Sequence, residues 1–187
     1  MLAGASSLVR KMDVASRATP TQPESDQHTA RAMEIRTESR IRIASGVPEV
    51  WAYVCDVGRW PEWAPTVLEC RVRDDAPLQP GSRVDQRAKG IFGSSRGRSQ
   101  EVTAVEAPHH VAFAGPMGTS AARWGMELEP VDDGQTEAEM WIEVDLGGIM
   151  RAIPGSILRG RIQRVSDREM AAIKAAVESA TPGGSDS

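Results

Sequence analysis

Aromatic side chains are scarce in this chain: two Phe and one Tyr accompany five Trp among 187 residues. Its core must rest on aliphatic and Met side chains, with the few large rings at decisive places. Cysteine is scarcer still. Cys55 and Cys70 are too few for a disulfide framework, and no Cys-x-x-Cys or His-rich spacing outlines a metal site. Positive charge has no excess, since 22 Lys and Arg face 26 Asp and Glu for a formal charge of −4. That balance argues against a nucleic-acid partner, whose phosphates need neutralising. No apolar run approaches the roughly 20 residues of a bilayer-crossing helix. The first 13 residues lack a charged segment ahead of their short, Ser-interrupted apolar stretch, so no secretory signal is expected. These absences point to a cytoplasmic chain that carries neither metal nor cofactor.

What the chain does have is a consistent grammar between two low-complexity ends. Residues 1–33 are rich in Ser, Thr, Pro and Gln without apolar periodicity, and are expected to form a disordered N-terminal extension. Residues 181–187 are expected to be a flexible tail. The domain lies between, at 34–180. Ile35, Thr37, Ser39, Ile41 and Ile43 alternate with charged residues, the period of a half-buried strand. A short helix follows from Val47, with Pro48 in its first turn, and residues 58–65 punctuate it with two prolines. Six further strand-like runs follow: 67–73, 82–89, 100–106, 111–115, 122–129 and 136–146. Residues 90–97 read as a hairpin loop rather than a phosphate-binding turn. Asp133-Gly134 marks a tight turn between the last two strands. From about Ser156 to Ala180 an apolar stripe of Leu158, Ile162, Val165, Met170, Ile173 and Val177 predicts one long helix. The fold class is therefore α+β: a seven-stranded antiparallel sheet, curved by its size, around a long C-terminal helix, with short helical structure after the first strand.

Val47-Pro48-Glu49-Val50-Trp51, Asp56 and Trp60-Pro61-Glu62-Trp63 together resemble the signature of the polyketide cyclase/dehydrase branch of the START-like, or SRPBCC, helix-grip superfamily. Pro80-Gly81-Ser82, Val105 with Pro108, and Ile173-Lys174 with Glu178 are similar to later landmarks of that family in the same order. The resemblance spans residues 34 to 180 and implies a helix-grip fold with a cavity between sheet and helix. It does not by itself fix a chemistry, because the superfamily hosts carriers, receptors and enzymes.

Strand parity assigns the cavity walls. Trp124, Met126 and Leu128 share a face with Met140, Ile142 and Val144, and Val111 and Phe113 join them. Gln86 is a polar group on this apolar face, and His109, by parity with Val111, is expected to point inward at a strand end. Met150, Ile153, Leu158 and Ile162 come from the segment joining the last strand to the helix. Gly147-Gly148 and Pro154-Gly155 make this segment bendable, and its four arginines suit either a lid, a weak membrane-surface contact or a plain solvated face. Glu137, Glu139, Glu143 and Asp145 form an acidic outer face, from which Trp141 stands out as a large aromatic. Trp51 is expected to fasten the short helix to the sheet, with Trp60 and Trp63 either lining the mouth or packing. Asp56 is expected to bond loop backbone, and both Cys to be buried small hydrophobes. The expected partner is a small hydrophobic or amphipathic ligand of lipid, polyketide or isoprenoid type. A cyclase or dehydratase acting in the same cavity is the alternative, and oligomeric state is left open. Because residues 1–33 offer no buried face, a chain starting at Met33 is expected to keep the melting temperature of the full chain; a clear drop by calorimetry would show that the extension packs on the domain.

Overall fold

The computed structural model describes residues 34–89, 95–118, 120–131 and 134–180, with backbone only at 149 and 150. The expected extension at 1–33, the tail at 181–187 and the Asp133 half of the expected tight turn lie outside the described residues. Seven strands form one antiparallel, curved sheet: β1 Glu34–Ile43, β2 Val67–Val72, β3 Arg83–Lys89, β4 Ser95–Glu106, β5 His110–Met117, β6 Ser120–Val131 and β7 Gln135–Asp145. Their spatial order is β1-β7-β6-β5-β4-β3-β2, so β1 and β2 are neighbours in sequence yet occupy opposite edges. The chain crosses between those edges through helix α1 Val47–Cys55, a 3-10 turn Val57–Arg59 and helix α2 Trp60–Trp63. After β7 comes a second 3-10 turn, Gly148–Ala152, and then the long helix α3 Gly155–Ala180.

Alternation sets the register. Along β1 every odd residue but half-buried Ile41 is buried and every even one exposed, as its period-two pattern requires. The outward arginines meet the outward glutamates of β7: Arg36 faces Glu143, Arg40 faces Glu139 and Arg42 faces Glu137, each pair opposite in register and ion-paired. Such exposed pairs contribute only about 0.2–1 kcal/mol each. A slip by one residue would break all three and turn Ile35 and Ile43 to solvent. The acidic face is thus a charge ladder shared with β1.

Trp141 belongs to this outer face and is half-buried. It lies over Gly125, its partner across β6, and Arg36 sits 5.8 Å from its ring. A Cβ at Gly125 would meet both the Trp141 ring and the Val111 carbonyl at 2.7 Å, so only glycine lets the ring lie flat there. The aromatic covers its neighbours rather than standing free.

Several expectations change. Residues 58–65 are not merely a break: they form the 3-10 turn and α2. The Asp56 side chain accepts the Gly58 N–H at 3.1 Å and opens that turn, as expected of a loop carboxylate. Trp60 and Trp63, not Trp51, are the buried members of the motif; Trp51 is half-buried. Trp60 donates its ring N–H to the Val54 carbonyl at 2.9 Å and fills the space above Phe113 and Trp124. Val165, included in the helical stripe, is exposed, because Ser166 occupies the buried position beside it. Strand β4 begins at Ser95, five residues before its expected start, pairing with β3 from Lys89. His109 does not face inward: it lies in the turn ahead of β5, is exposed, and its Nδ1 meets the Leu128 carbonyl at 2.9 Å. Parity cannot be extended from β5 through a turn.

Gly125→Ala is expected to destabilise the domain by roughly 1–3 kcal/mol through overpacking, read as a lower midpoint in urea unfolding. An unchanged midpoint would mean that Trp141 moves away at no cost.

Candidate functional site

The inner face of the sheet divides into two zones. In one, packing is complete. Val111, Phe113, Met126, Leu128, Met140 and Val144 are all buried, and Met126 exposes 0% of its surface, so no water-sized void touches it. Phe113 stacks on Trp124 with centroids 4.3 Å apart, and Trp60 meets both rings edge-on at 5.1 and 5.2 Å. Tilted and stacked ring pairs of this kind add about 0.5–1.5 kcal/mol each to the area they bury. The few aromatics of the chain are concentrated here, and they fill the grip at this end. Ile142 and Leu158 are buried at the margins, while Ile153 and Ile162 keep part of their surface. The Met150 side chain lies outside the described ones.

The other zone is polar. Gln86 of β3 is buried, and its Oε1 accepts Arg98 Nε at 2.8 Å and Gln100 Nε2 at 3.5 Å. Gln100 in turn accepts the Trp124 ring N–H at 2.8 Å. The register that pairs Gln86 with Arg98 and Val84 with Gln100 places all of these on one face. The Cys70 thiol of β2 lies against the Gln86 amide, and burial pushes it up to about 12, so it is neutral and inert at ordinary pH. Across the gap, Glu169 of α3 is turned inward beside Met170, Ile173 and Ser166, with only 9% of its surface exposed.

Glu169 and Arg98 feel each other's charge but make no direct hydrogen bond or ion pair with each other among the described residues. Burial pushes the Glu169 carboxyl up to about 7, with the Arg98 charge opposing that shift. Burial also draws the Arg98 guanidinium below its usual value. Arg98 uses Nε for Gln86, and its two terminal NH2 groups have no hydrogen-bond partner among the described residues; neither does the Glu169 carboxyl. The result is a set of open donors and one titratable acid that feel each other's charge.

Of the expected site residues, Gln86 and Trp124 join this polar cluster, and His109 stands outside it. Arg98 and Glu169 were not among them. Val111, Phe113, Met126, Leu128, Met140, Ile142, Val144 and Leu158 are packed and buried, while Ile153 and Ile162 are partly exposed. The larger surface groove, about 550 Å³, is elsewhere: Glu34, Pro116, Gly118, Arg123, Glu143 and Asp145 line it, with no residue of the expected site. Among the described residues there is no group of three or more His, Cys, Asp or Glu placed to hold a metal ion. No helix among them is long and apolar enough to cross a membrane.

A curved seven-stranded sheet gripping a long C-terminal helix corresponds to a known class. The chain belongs to the polyketide cyclase / dehydrase and lipid transport family, whose model matches residues 34–178. Solved structures share the fold. A START superfamily protein from Mycobacterium smegmatis superposes with a TM-score of 0.64 at 16% identity, over 78% of this chain and 99% of that one. A conserved protein from Geobacillus kaustophilus gives 0.64 at 18%, over 78% and 96%. The Zhui aromatase/cyclase from a Streptomyces species gives 0.64 at 12%, over 80% and 97%. At these identities the likeness is one of fold alone. No curated protein matches the chain.

Glu169 makes stability depend on pH. Its folded pKa, about 7, lies above the ordinary 4.5, so the folded state holds the proton through a window where the unfolded chain has lost it. Stability is therefore greatest below pH 4.5 as far as this group is concerned, and declines until pH passes 7, by on the order of 3 kcal/mol. Glu169→Gln is expected to remove that decline and to unfold at a higher temperature than the wild type at pH 8. Parallel melting curves for the two proteins between pH 4.5 and 8 would overturn the buried placement of this carboxyl.

Proposed function

We propose that the protein binds a small amphipathic molecule of lipid, polyketide or isoprenoid type between α3 and the sheet. The observation that carries this reading is the cluster of Gln86, Arg98, Gln100 and Glu169, set on an otherwise apolar inner face. The Arg98 terminal NH2 groups and the Glu169 carboxyl have no protein partner among the described residues, and a ligand's polar end can supply one. Family membership supports the reading, since the family's description joins cyclase and dehydrase members with lipid transport. The START superfamily neighbour from Mycobacterium smegmatis supports it at the level of fold. The ligand's apolar body lies against Trp124, Ile153 and Ile162, which retain surface, while its polar end reaches Arg98. Ile153 and Ile162 lie near the start of α3, so movement of the segment around Gly148–Ala152 opens the way in.

A second reading has an observation of its own. A carboxyl raised to about 7 by burial, within reach of a cation's charge, suits proton transfer to or from a bound carbonyl compound, as a cyclase or dehydratase requires. The Zhui aromatase/cyclase among the structural neighbours is consistent with that chemistry. Both readings place the ligand at the same spot, and Glu169 separates them: binding survives Glu169→Gln, turnover does not.

Trp124 joins the aromatic stack to the polar cluster, so its emission is expected to change on ligand binding. Native mass spectrometry of the purified protein, with tryptophan fluorescence titration against medium-chain amphiphiles, tests the proposal. Saturable quenching that is lost in Trp124→Phe supports it, since the other four Trp remain as controls. A protein that neither retains a ligand nor responds to any amphiphile has a closed grip and does not bind there.

A further inference from the structure

Resting on the reading that an amphipathic ligand occupies the grip, we propose that the ligand's polar end is a carboxylate, received by the Arg98 fork with the Glu169 carboxyl as its proton-bearing partner. Three features of geometry carry this. Arg98 spends Nε on Gln86 and so is held in one orientation, with its two terminal NH2 groups directed away from the only bond that fixes it. Those groups form a planar pair of donors, the arrangement that matches two carboxylate oxygens. Opposite them Glu169, more than nine-tenths buried, has no hydrogen-bond partner among the described residues. Its protonated form offers one more donor to the same two oxygens.

Charge decides against other headgroups. Arg98 is the one cation that acts on Glu169, and no second basic side chain acts on either member of the pair. A phosphate dianion in so apolar a shell needs more positive charge than one guanidinium supplies. A neutral alcohol leaves donors unmatched and the cation uncompensated. A single carboxylate balances Arg98 when Glu169 is protonated, giving a neutral assembly with every donor used.

The balance also fixes a proton requirement. When Glu169 is ionised it competes with the ligand for Arg98 and repels it. Binding of a carboxylate therefore draws a proton onto Glu169 from solvent, and no bond other than that O–H is formed. Arg98 is the one charged group that acts on Glu169, and the Cys70 thiol, which feels Arg98, is pushed up to about 12 by burial and is neutral.

The test uses the full chain with decanoate and 1-decanol, matched in length and differing in the head. Calorimetric titrations run from pH 6 to 8.5, where decanoate stays ionised, in buffers of different ionisation enthalpy. Decanoate is expected to bind about tenfold or more tightly than decanol at pH 6, the scale of a charge-assisted bidentate contact. Its affinity is expected to fall as pH rises past 7, with uptake approaching one proton per ligand; decanol is expected to show neither effect. Glu169→Gln is expected to keep the preference for the acid and lose the proton uptake, and Arg98→Gln to lose the preference. The matched pair on the wild-type protein decides the matter even where Arg98→Gln does not fold. Equal affinity for acid and alcohol, or acid binding without proton uptake at pH 8, overturns the carboxylate assignment while leaving the hydrophobic-ligand reading in place. Failure of both probes to bind overturns both.

Discussion

Helix α3 is tied to the free edge of β1 by its own side chains, and the placement of the inner groups depends on that seam. β1 is an edge strand, so the carbonyls facing away from β7 have no partner within the sheet. Arg159 donates to the Arg36 carbonyl at 2.7 Å, Gln163 to the Glu38 carbonyl at 2.8 Å, and Lys174 to the Arg42 carbonyl at 2.6 Å. Glu178 accepts the Ala44 N–H at 2.7 Å. These four residues lie along one side of the helix, and they fix its rotation as well as its position. With that side committed to β1, the adjoining side carrying Leu158, Ser166, Glu169, Met170, Ile173 and Val177 must face the sheet. The seam therefore places the Glu169 position on the inward side of the helix. A carboxyl that would leave the interior if it were on a free helix is retained because several hydrogen bonds and the apolar residues on both sides of it hold the helix down.

The scarcity of aromatics acts on the same interior from the other direction. Trp60, Trp63, Phe113 and Trp124 are four of the eight aromatic residues, and they gather at one end of the grip, where α2 meets β5 and β6. Trp124 is the boundary residue. One face of its ring stacks on Phe113, and its N–H goes to Gln100. Beyond it the sheet is lined by Gln86, Arg98 and Gln100 rather than by anything large and apolar. Neutral amides hydrogen-bonded to one another tolerate burial well. They serve here as the support that orients Arg98.

Most of the fold was legible because period two and period 3.6 are robust to the identity of individual residues. The seven strands and the long helix rest on such patterns, the family resemblance rests on the motif residues at Val47–Trp63, and Gln86 was visible as a polar residue on an apolar parity. The rest of the site was hidden for two reasons. Arg98 lies in a stretch of Gly, Ser and Arg with no strand propensity, which becomes strand only because β3 is there to pair with it. Glu169 was hidden by reading the helix stripe from apolar residues alone. Positions 162, 166, 169, 170, 173 and 177 form one face, and a carboxyl among them is the irregularity that a search for polar residues on the stripe would find. The same habit admitted Val165, which the structure exposes. His109 failed differently, since a turn resets the alternation that parity assumes.

The spacing of Arg98 and Glu169 is the last point on which the reading turns. Two opposite charges brought into an apolar interior gain most when they touch, and a contacting pair with its remaining hydrogen bonds filled is the arrangement that limits the cost of burial. Here Glu169 is buried and Arg98 half-buried, and the two make no contact with each other among the described residues. Each is fixed by other partners: Arg98 by Gln86, and Glu169 by the register of α3 on β1. The pair therefore holds unused hydrogen-bonding capacity in a low-dielectric setting, where a correctly shaped guest gains more per bond than it would in water. Such preorganisation lowers the ordering cost of binding, because the receiving groups are already fixed when the ligand arrives. A helix seam designed only for stability had no need of a carboxyl at position 169; an apolar residue of similar volume would leave the seam intact and the interior cheaper. The carboxyl adds nothing to the grip itself, and what it adds is a proton that can be held or released where a ligand's polar end would lie.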